Sequence, residues 1–411
     1  MALTRILADN YLHRNYEIMN RVLNQHSTLF VGDLFDGGRE WDDTNWFEEY
    51  ARFHRVFNKQ SKNRAYMQVP GNHDVGFGSG IRYDRYKRFV TYFGDANTYI
   101  TLGNHSIVLL DTVSLSDTEN IMVSKSSTEF LNSLEDDNHP SKQYPRIVIT
   151  HVPLYRSPDL LTCGPFREST RPFPIVRGNQ YQTVIDYTFT RHILDWIKPK
   201  LVLSGDDHDY CHVRHPINRP GLNKEDHTYE EGKASIGKDF ADEITVKSSA
   251  MTGGIKRPAV QLLSLWNPDG TDKNPAVSEP WEETGSQTIL HDTFESELCY
   301  LPDFLRPLIW YGILAAFSFV SLFSCTMMPR QTAKLEKIVR NLSRLGSTDI
   351  LPLSQGESNG FRAKQPGQKF LTKLLLDWEL PLKADWQAFL IHLTIWIGFV
   401  IFTFYWSITA I

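Results

Sequence analysis

Two long uncharged stretches dominate the C-terminal quarter of this 411-residue chain. Residues 307–328 read PLIWYGILAAFSFVSLFSCTMM, and residues 386–411 contain no acidic or basic side chain except His392. A bilayer core of ~30 Å requires about 20 apolar residues in a helix. Buried core helices are the alternative, but neither stretch has a polar face and both have aromatic residues near their ends. The pattern therefore predicts two transmembrane helices, over 304–328 and 386–411.

The charges beside these stretches predict their orientation. Lysine and arginine are frequent over 329–385, whereas Glu295, Glu297 and Asp303 precede the first stretch. Because cytosolic loops carry the excess of basic residues, we expect 329–385 to form a cytosolic loop. The large N-terminal part would then be lumenal, and the sequon at Asn104 could carry a glycan.

Residues 1–266 alternate between helical patterns and short strands rich in Val, Ile and Leu. Such strands are typical of a sheet covered on both faces, so we predict an α/β domain over 1–266 and a linker over 267–303. The 12% aromatic content excludes global disorder, and a net charge of -5 gives no basic excess, so no nucleic-acid partner is expected. Four cysteines are too few for a disulfide scaffold, although Cys163 and Cys211 could pair in a lumenal domain.

Four short polar segments follow predicted strands. They are GDLFD at 32–36, GNHD at 71–74, TH at 150–151 and GDDH at 205–208. Each is weak alone, because Gly-Asp is a common turn and a histidine after a strand is usually a core residue. Together they would meet at one sheet edge, where burying so many polar groups without a cation is costly. Carboxylate, amide and imidazole groups suit a divalent ion such as Mn, Fe or Zn.

These segments resemble the calcineurin-like metallophosphoesterases, whose pattern is D-x-H, G-D-x-x-D, G-N-H-D/E, H and G-H-x-H. The resemblance implies an α-β-β-α sandwich and two divalent metal ions, with Mn the first expectation and Fe, Zn or Mg as alternatives. Asp33 would bridge the two ions. Asn72, His151 and Asp206 would complete the shell of one ion. His208 would bind the other, and the pair of ions would lower the pKa of a bridging water.

The same resemblance assigns two catalytic residues. His73 would act as general acid on the leaving oxygen or stabilise the transferring phosphoryl group, with Asp74 holding its ring. A histidine in this role has to be protonated, and a carboxylate partner favours the protonated form.

The sequence departs from the family pattern in two places. Asp206 occupies the position of the first histidine of G-H-x-H, and its harder oxygen would favour Mn or Mg. The D-x-H motif is missing, because residues 1–9 offer only Asp9, beside the first predicted helix. We therefore expect one ion to lack ligands and the sheet to lack its first strand.

The N-terminus also lacks the apolar core of a signal peptide. One explanation accounts for both gaps, namely that the chain begins downstream of a signal anchor and of the first strand. The alternative is a family member that has lost activity.

Longer segments resemble one branch of the family more closely. They are GDLFDGGREWDDTNWFEEYARF, VPGNHDVGFG, THVPLYR, TCGPFREST, SGDDHDYC and AVQLLSLWNP. They are similar to the fungal ER and Golgi membrane phosphoesterases of the cell-division-control-protein-one type, to which animal post-GPI-attachment factor five is related. This similarity implies removal of ethanolamine phosphate from a mannose of GPI-anchor glycans at an ER or Golgi membrane. The alternatives are a GPI-binding or cargo-sorting protein without activity, and a general two-metal phosphatase with another substrate.

Arginines between the third and fourth motifs are candidates for substrate contacts. We single out Arg156 and Arg167, because a guanidinium group donates paired hydrogen bonds to phosphate. The alternative for each is an ordinary surface arginine.

Overall fold

The computed structural model describes most of the chain. The described residues are 2–60, 62–156, 163–171, 173–178, 180–217, 240–270, 288–290, 293–328 and 385–409. The chain divides into two compact units, Met1–Phe304 and Leu305–Ile411.

The helices of the first unit flank its strands. They are α1 (Ala2–Val22), α2 (Asp43–Val56), α3 (Asn72–Val75), α4 (Tyr83–Phe93), α5 (Thr112–Leu115), α6 (Ile121–Ser133) and α7 (Tyr187–His192). Helix α2 begins after Asp42, whose carboxylate accepts a hydrogen bond from the N–H of Asn45 at 2.8 Å. A cap of this kind stabilises a helix by about 1 kcal/mol. The apolar face of α2 buries Trp46 and Phe53 in the core.

The strands of the first unit form several sheets. They are β1 (Ser27–Leu29), β2 (Arg64–Tyr66), β3 (Thr98–Leu102), β4 (His105–Leu109), β5 (Arg146–Ile149), β6 (Arg177–Gly178), β7 (Tyr181–Gln182), β8 (Leu201–Ser204), β9 (Cys211–Pro216), β10 (Phe240–Thr245), β11 (Ala259–Leu265), β12 (Thr288–Leu290) and β13 (Phe294–Tyr300). The largest sheet has the order β3-β4-β5-β8-β10-β9. Strands β4, β5, β8 and β10 pair in parallel, and the two edge strands pair antiparallel.

The central strands of this sheet are buried on both faces, as the sequence predicts. Every residue of β4, β5 and β8 is buried. Val108, Val148 and Val202 belong to one apolar cluster, whereas their chain neighbours Ile107 and Ile147 belong to the other. Side chains alternate between the faces of a strand, so both clusters are built from the same short sequences. Each such buried side chain stabilises the fold by about 1.5–3 kcal/mol. The predicted α/β class is therefore confirmed.

A three-stranded antiparallel sheet has the order β11-β13-β12. Its central strand corrects the linker predicted over 267–303, because Phe294–Tyr300 pairs along its whole length with β11. Phe294 and Leu298 are buried on one face of β13, whereas Glu295 and Glu297 lie on the exposed face. This alternation is typical of a half-buried strand, and acidic residues close to a membrane helix conceal it because they also fit the charged flank of such a helix. Residues 271–287 of the predicted linker lie outside the described residues.

Strands β1 and β2 form a separate parallel pair, and their carboxyl ends lead into the GDLFD and GNHD segments. Residues 2–9 are part of α1, so Asp9 lies on a helix. Arg52 of α2 donates a hydrogen bond from Nε to Asp9 Oδ2 at 2.7 Å. Asp9 is thus held by an ion pair between two helices.

The sequon asparagine lies in the tight turn between β3 and β4. Gly103 and Asn104 have φ of 53° and 54°, as a two-residue hairpin turn requires. Asn104 Nδ2 donates to the carbonyl of Asn267 at 2.9 Å, and Asn267 Nδ2 donates to the carbonyl of Asn104 at 2.9 Å. The amide nitrogen that a glycan would need is therefore engaged in a reciprocal pair.

Cys163 and Cys211 form a disulfide, which the sequence left open. The bond joins a loop to β9 across 48 residues of sequence. On the chain-entropy account, closing a loop of that length stabilises the fold by about 4 kcal/mol. A bond of this kind persists in oxidising compartments.

The second unit contains two apolar helices, α8 (Leu305–Met327) and α9 (Trp386–Thr409). Both are long and apolar enough to cross a membrane. They contact each other through Phe389 of α9, which packs edge-on against Phe319 and Phe323 of α8. The predicted cytosolic loop lies almost wholly outside the described residues, which resume at Asp385.

Candidate metal centre

Four of the five predicted metal ligands meet at the carboxyl ends of four strands. Asp33 follows β1, Asn72 follows β2, His151 follows β5 and Asp206 follows β8. Strands β5 and β8 are neighbours in the large sheet, and β1 and β2 are neighbours in the small one. Loops at this end of α/β sheets are where ligands bind.

The ring of His151 is the focus of this cluster. Its Nε2 lies 3.3 Å from Asn72 Oδ1, 3.4 Å from Asp33 Oδ1 and 3.6 Å from Asp206 Oδ1. Its Nδ1 donates a hydrogen bond to the carbonyl of Val31 at 2.7 Å. This bond fixes the ring and directs Nε2 at the three oxygens, which is how metal-binding histidines are oriented.

The cluster gathers negative charge around that nitrogen. Burial lowers the pKa of His151, but the charges of Asp33 and Asp206 outweigh burial and raise it to about 10. The two carboxylates that attract a proton to Nε2 are equally suited to attract a divalent cation.

The backbone at three predicted ligands is in the left-handed region. Asp33 has φ of 51°, Asp206 has φ of 65° and His208 has φ of 66°. Each such residue costs of order 1–3 kcal/mol, and such strain concentrates at functional sites. The recurrence of this strain at the motif residues favours a functional site over an ordinary set of turns.

Glycines in the motifs make room for the cluster. A Cβ atom on Gly71 would overlap Asp33 Oδ1, and a Cβ atom on Gly32 would overlap His151 Nδ1. A Cβ atom on Gly205 would lie 3.0 Å from the carbonyl of Val31. The glycines of three motifs therefore allow close approach to another motif or to the end of the strand that precedes one.

The donors present fit one divalent ion. Asp206 Oδ2 is buried and has no protein partner among the described residues, although an unpaired buried oxygen costs about 1–3 kcal/mol. Within the described ranges, no group of three His, Cys, Asp or Glu side chains has by itself the arrangement of a metal site. The amide of Asn72 completes the set with Asp33, His151 and Asp206. Three oxygen ligands and one imidazole nitrogen suit hard or borderline cations.

The ring of the fifth predicted ligand bonds to a different segment of the chain. His208 Nδ1 donates to the carbonyl of Gly253 at 3.1 Å, and the ring is exposed. The structure therefore brings together the side chains predicted for one ion, and His208 lies on the same β8 loop two residues beyond Asp206.

The ring of His73, the predicted general acid, is held by Asp36 and not by Asp74. The backbone N–H of His73 donates to Asp33 Oδ1 at 2.9 Å. Its ring Nδ1 donates to the carbonyl of Asp36 at 2.8 Å and lies 3.7 Å from Asp36 Oδ1. The side chain is 35% exposed, so the ring lies at the surface of the site with Nδ1 fixed.

The predicted role of Asp74 in holding that ring is wrong. Its carboxylate accepts hydrogen bonds from the N–H groups of Gly71 at 2.8 Å, Phe35 at 2.8 Å and Leu34 at 3.1 Å. Asp74 thus joins the GDLFD and GNHD loops. Burial, together with the charge of Asp33, raises its pKa to about 7. Adjacent residues in a short helix point in different directions, and for this reason sequence adjacency misassigned the partner.

The prediction that Arg156 contacts substrate is also corrected. Its side chain is 1% exposed, and its Nη2 lies 3.0 Å from Glu243 Oε2. Its guanidinium also stacks on Phe173, with 4.3 Å to the ring centre. Arg156 is a core residue whose charge is balanced inside the protein.

Arg167 is likewise paired inside the protein. Both of its terminal nitrogens bind the carboxylate of Asp207, and its side chain is 8% exposed. Asp207 is the chain neighbour of Asp206, so Arg167 holds the loop that carries a predicted ligand. Its contacts indicate a positioning role in place of the predicted contact with phosphate.

Three residues near the site were missed by sequence reasoning. Arg39 donates from Nη1 to the carbonyl of Asn72 at 3.1 Å. Gln180 accepts a hydrogen bond from Asn72 Nδ2 at 3.3 Å. Burial, and then the charges of Asp206 and Asp207, raise the pKa of Tyr181 to about 12. Arg39 is close to a motif in sequence, but no sequence signal connects 180–181 with residues some hundred positions away.

Comparison with known proteins gives a consistent result. A family model described as calcineurin-like phosphoesterase matches residues 8–210. Cell division control protein 1 of Saccharomyces cerevisiae is 43% identical over 321 residues, which cover 77% of this chain and 60% of the yeast protein. Metallophosphoesterase 1 of Mus musculus is 28% identical over 229 residues, which cover 51% of this chain and 56% of the mouse protein. Metallophosphoesterase 1 of Gallus gallus is 26% identical over 233 residues, which cover 51% of this chain and 57% of the chicken protein. This chain therefore spans less than two thirds of the length of these relatives.

Proposed function

Since the chain carries a calcineurin-like phosphoesterase domain, we propose that it is a metal-dependent phosphodiesterase anchored in a secretory-pathway membrane. The observation that carries this proposal is the convergence of Asp33, Asn72 and Asp206 on His151 Nε2, within 3.3–3.6 Å. Such a mixed oxygen and nitrogen set is suited to hold a divalent ion and unsuited to pack without one.

The residues of the cluster have distinct roles in this proposal. Asp33, Asn72 Oδ1, His151 Nε2 and Asp206 would hold one ion, and His208 would contribute to holding a second. When bound, the ions neutralise charge on the phosphoryl group and activate a water for attack on phosphorus. Mn is our first choice of metal, because Asp206 supplies a hard oxygen where the family pattern has an imidazole.

His73 supplies the proton that the leaving group needs. The carbonyl of Asp36 accepts from Nδ1 and fixes the ring, so that Nε2 is the atom able to give a proton to the leaving oxygen. Proton transfer by a positioned histidine contributes about 10²–10⁴-fold to a rate. The bond from the His73 backbone to Asp33 sets the position of this ring relative to the metal ligands.

We further propose that the substrate is the ethanolamine phosphate side branch on a mannose of GPI-anchor glycans. The two apolar helices support an enzyme that works at a membrane, where lipid-linked glycans lie. The disulfide between Cys163 and Cys211 supports a lumenal domain in the ER or Golgi. The yeast relative, cell division control protein 1, is of the same type as the phosphoesterases that the six longer sequence segments resemble.

The test is hydrolysis by the purified full chain in detergent with Mn²⁺. The substrates are a GPI glycan that bears ethanolamine phosphate and a generic aryl phosphodiester, and the release of ethanolamine phosphate is followed by mass spectrometry. We expect release from the glycan, and loss of release in His73→Ala with unchanged metal content.

Two results would overturn parts of this proposal. Hydrolysis of the aryl ester with none of the glycan would reject the GPI substrate and leave the phosphodiesterase. Binding of metal and glycan without turnover of either substrate would identify a non-catalytic glycan-binding protein on the same scaffold.

A further inference from the structure

Gln180, in a β-hairpin far along the chain, bonds to the GNHD loop. Gln180 lies in the turn between β6 and β7 and has φ of 59°, which is unusual for glutamine. Its carbonyl accepts from Asn72 Nδ2 at 3.3 Å. Its side-chain Oε1 accepts from the N–H of Phe77 at 3.2 Å, and its Nε2 donates to the carbonyl of Gly80 at 2.7 Å.

The loop that follows GNHD is shaped to receive this side chain. Gly76, with φ of 102°, ends α3, and a Cβ atom there would overlap Gln180 Oε1. A Cβ atom on Gly80 would lie 2.7 Å from Gln180 Cδ. Both glycines therefore leave the space that Gln180 fills, and its amide satisfies one backbone donor and one backbone acceptor between them.

These contacts decide which way the amide of Asn72 faces. A terminal amide has one accepting oxygen and one donating nitrogen, and the carbonyl of Gln180 can only accept. It therefore binds Asn72 Nδ2 and leaves Oδ1 directed at His151 Nε2, 3.3 Å away. The reversed amide would direct its N–H groups at the cation position. These groups carry partial positive charge, so they would repel a cation there.

We propose that Gln180 is a positioning residue that orients Asn72 for metal binding and holds the GNHD loop in place. This inference rests on the proposed function, because it assumes that Asn72 is a metal ligand. Partners that orient a ligand in this way typically change metal affinity by about 10–100-fold when they are removed. A residue that only stapled the hairpin to the loop would change thermal stability and leave metal affinity unchanged.

The test is a Mn²⁺ titration of the purified full chain by calorimetry, with thermal unfolding measured in parallel. Gln180→Asn tolerates the left-handed turn but is too short to reach both Phe77 and Gly80. Gln180→Glu keeps the length and the acceptor but loses the donor to the carbonyl of Gly80. We expect both variants to weaken Mn²⁺ binding by about 10–100-fold, with the larger loss in Gln180→Asn.

A matched control lies in the same hairpin. Gln182 Nε2 donates to the carbonyl of Val184, two residues away, and within the described part of the chain its side chain bonds no motif residue. Gln182→Asn removes the same methylene from the same kind of residue, and we expect its Mn²⁺ affinity to stay within about twofold of the parent.

A second route keeps the test decisive if Gln180→Asn does not fold. Gly80→Ala places a methyl group against Gln180 Cδ, so it should weaken Mn²⁺ binding in the parent chain. In a Gln180→Gly background the same change no longer meets the Gln180 side chain, which supplies the three nearest atoms, so its further effect should be small. This non-additivity is the signature of direct coupling between the two positions.

Asn72→Ala separates failure of this inference from failure of the proposed function. Unchanged Mn²⁺ affinity in Asn72→Ala would reject the metal centre itself. Loss of affinity in Asn72→Ala, with parental affinity in the Gln180 variants and in Gly80→Ala, would leave the centre standing and reject the positioning role of Gln180.

Discussion

Two buried polar clusters of the same domain differ in how their charges are compensated. In the first, Glu243 on β10 is 0% exposed, lies 3.0 Å from Arg156 Nη2 and accepts from His215 Nε2 at 2.7 Å. The same carboxylate accepts from Ser204 Oγ at 2.8 Å and from the N–H of Leu154 at 2.9 Å. Each of its oxygens thus has partners, and a cation balances its charge.

The second cluster also contains carboxylates and a buried histidine, but in the part of the chain that the structure describes no arginine balances their charge. Asp33 and Asp206 both approach His151, and Asp206 Oδ2 has no protein partner among the residues described. The contrast shows that burial of acids and histidines is not by itself a sign of function. The useful sign is a deficit of positive charge together with left-handed backbone at the acidic residues.

The largest expected effect comes from removing one acid of the second cluster. Asp33→Asn should abolish tight Mn²⁺ binding and lower turnover by about 10⁴-fold or more, because the ions supply several kcal/mol of charge stabilisation. Metal content after gel filtration and the rate on a phosphodiester measure both losses. Full metal content in this variant would contradict the assignment of Asp33 as a ligand.

A smaller loss is expected when the site is kept and the proton donor is removed. His73→Ala should lower turnover by about 10²–10⁴-fold with metal content nearly unchanged, because the ring bonds to Asp36 and its loss removes no metal ligand. The two variants together separate the roles. Equal turnover in His73→Ala and the parent would remove His73 from the mechanism.

In the balanced cluster, a substitution should act on stability alone. Arg156→Met leaves Glu243 buried without its cation and should lower the free energy of unfolding by about 3–5 kcal/mol. The exposed pair of Arg82 and Asp84 provides the control. Arg82→Met should lower the free energy of unfolding by at most about 1 kcal/mol. Denaturant unfolding measures both. A folded Arg156→Met protein with weakened Mn²⁺ binding would show that the two clusters are not independent.

The smallest effect concerns pH. Burial alone would raise the pKa of Glu243, but Arg156 and His215 outweigh burial and lower it from 4.5 to about 2. A lowered pKa in the folded state contributes stability above the unfolded pKa of 4.5, and this contribution, about 3 kcal/mol, is lost as pH falls toward 2. The difference in unfolding free energy between the parent and Glu243→Gln should therefore shrink from pH 6 to pH 3. A difference independent of pH would contradict the charged state of Glu243.

Sequence predicted which side chains converge where a motif follows a strand. Asp33, Asn72, His151 and Asp206 could be placed together because each follows the carboxyl end of a strand, although β1 and β2 form a sheet separate from that of β5 and β8. The pattern also predicted the sheet covered on both faces and the two apolar C-terminal helices.

Sequence failed where three-dimensional neighbours decide the role of a residue. Arg156 looked like a phosphate contact because neither its burial nor its pairing with Glu243 leaves a local signal. Asp74 was paired with its chain neighbour His73, whereas it bonds backbone groups of two loops. No local signal marks Gln180, because it touches Asn72 across 108 residues of chain.

The most direct test of the metal centre is a crystal of the Mn²⁺-loaded protein, measured on both sides of the manganese absorption edge. The account predicts an anomalous peak enclosed by Asp33, Asn72, His151 and Asp206. Manganese bound at other positions, with no peak among these four side chains, would contradict it.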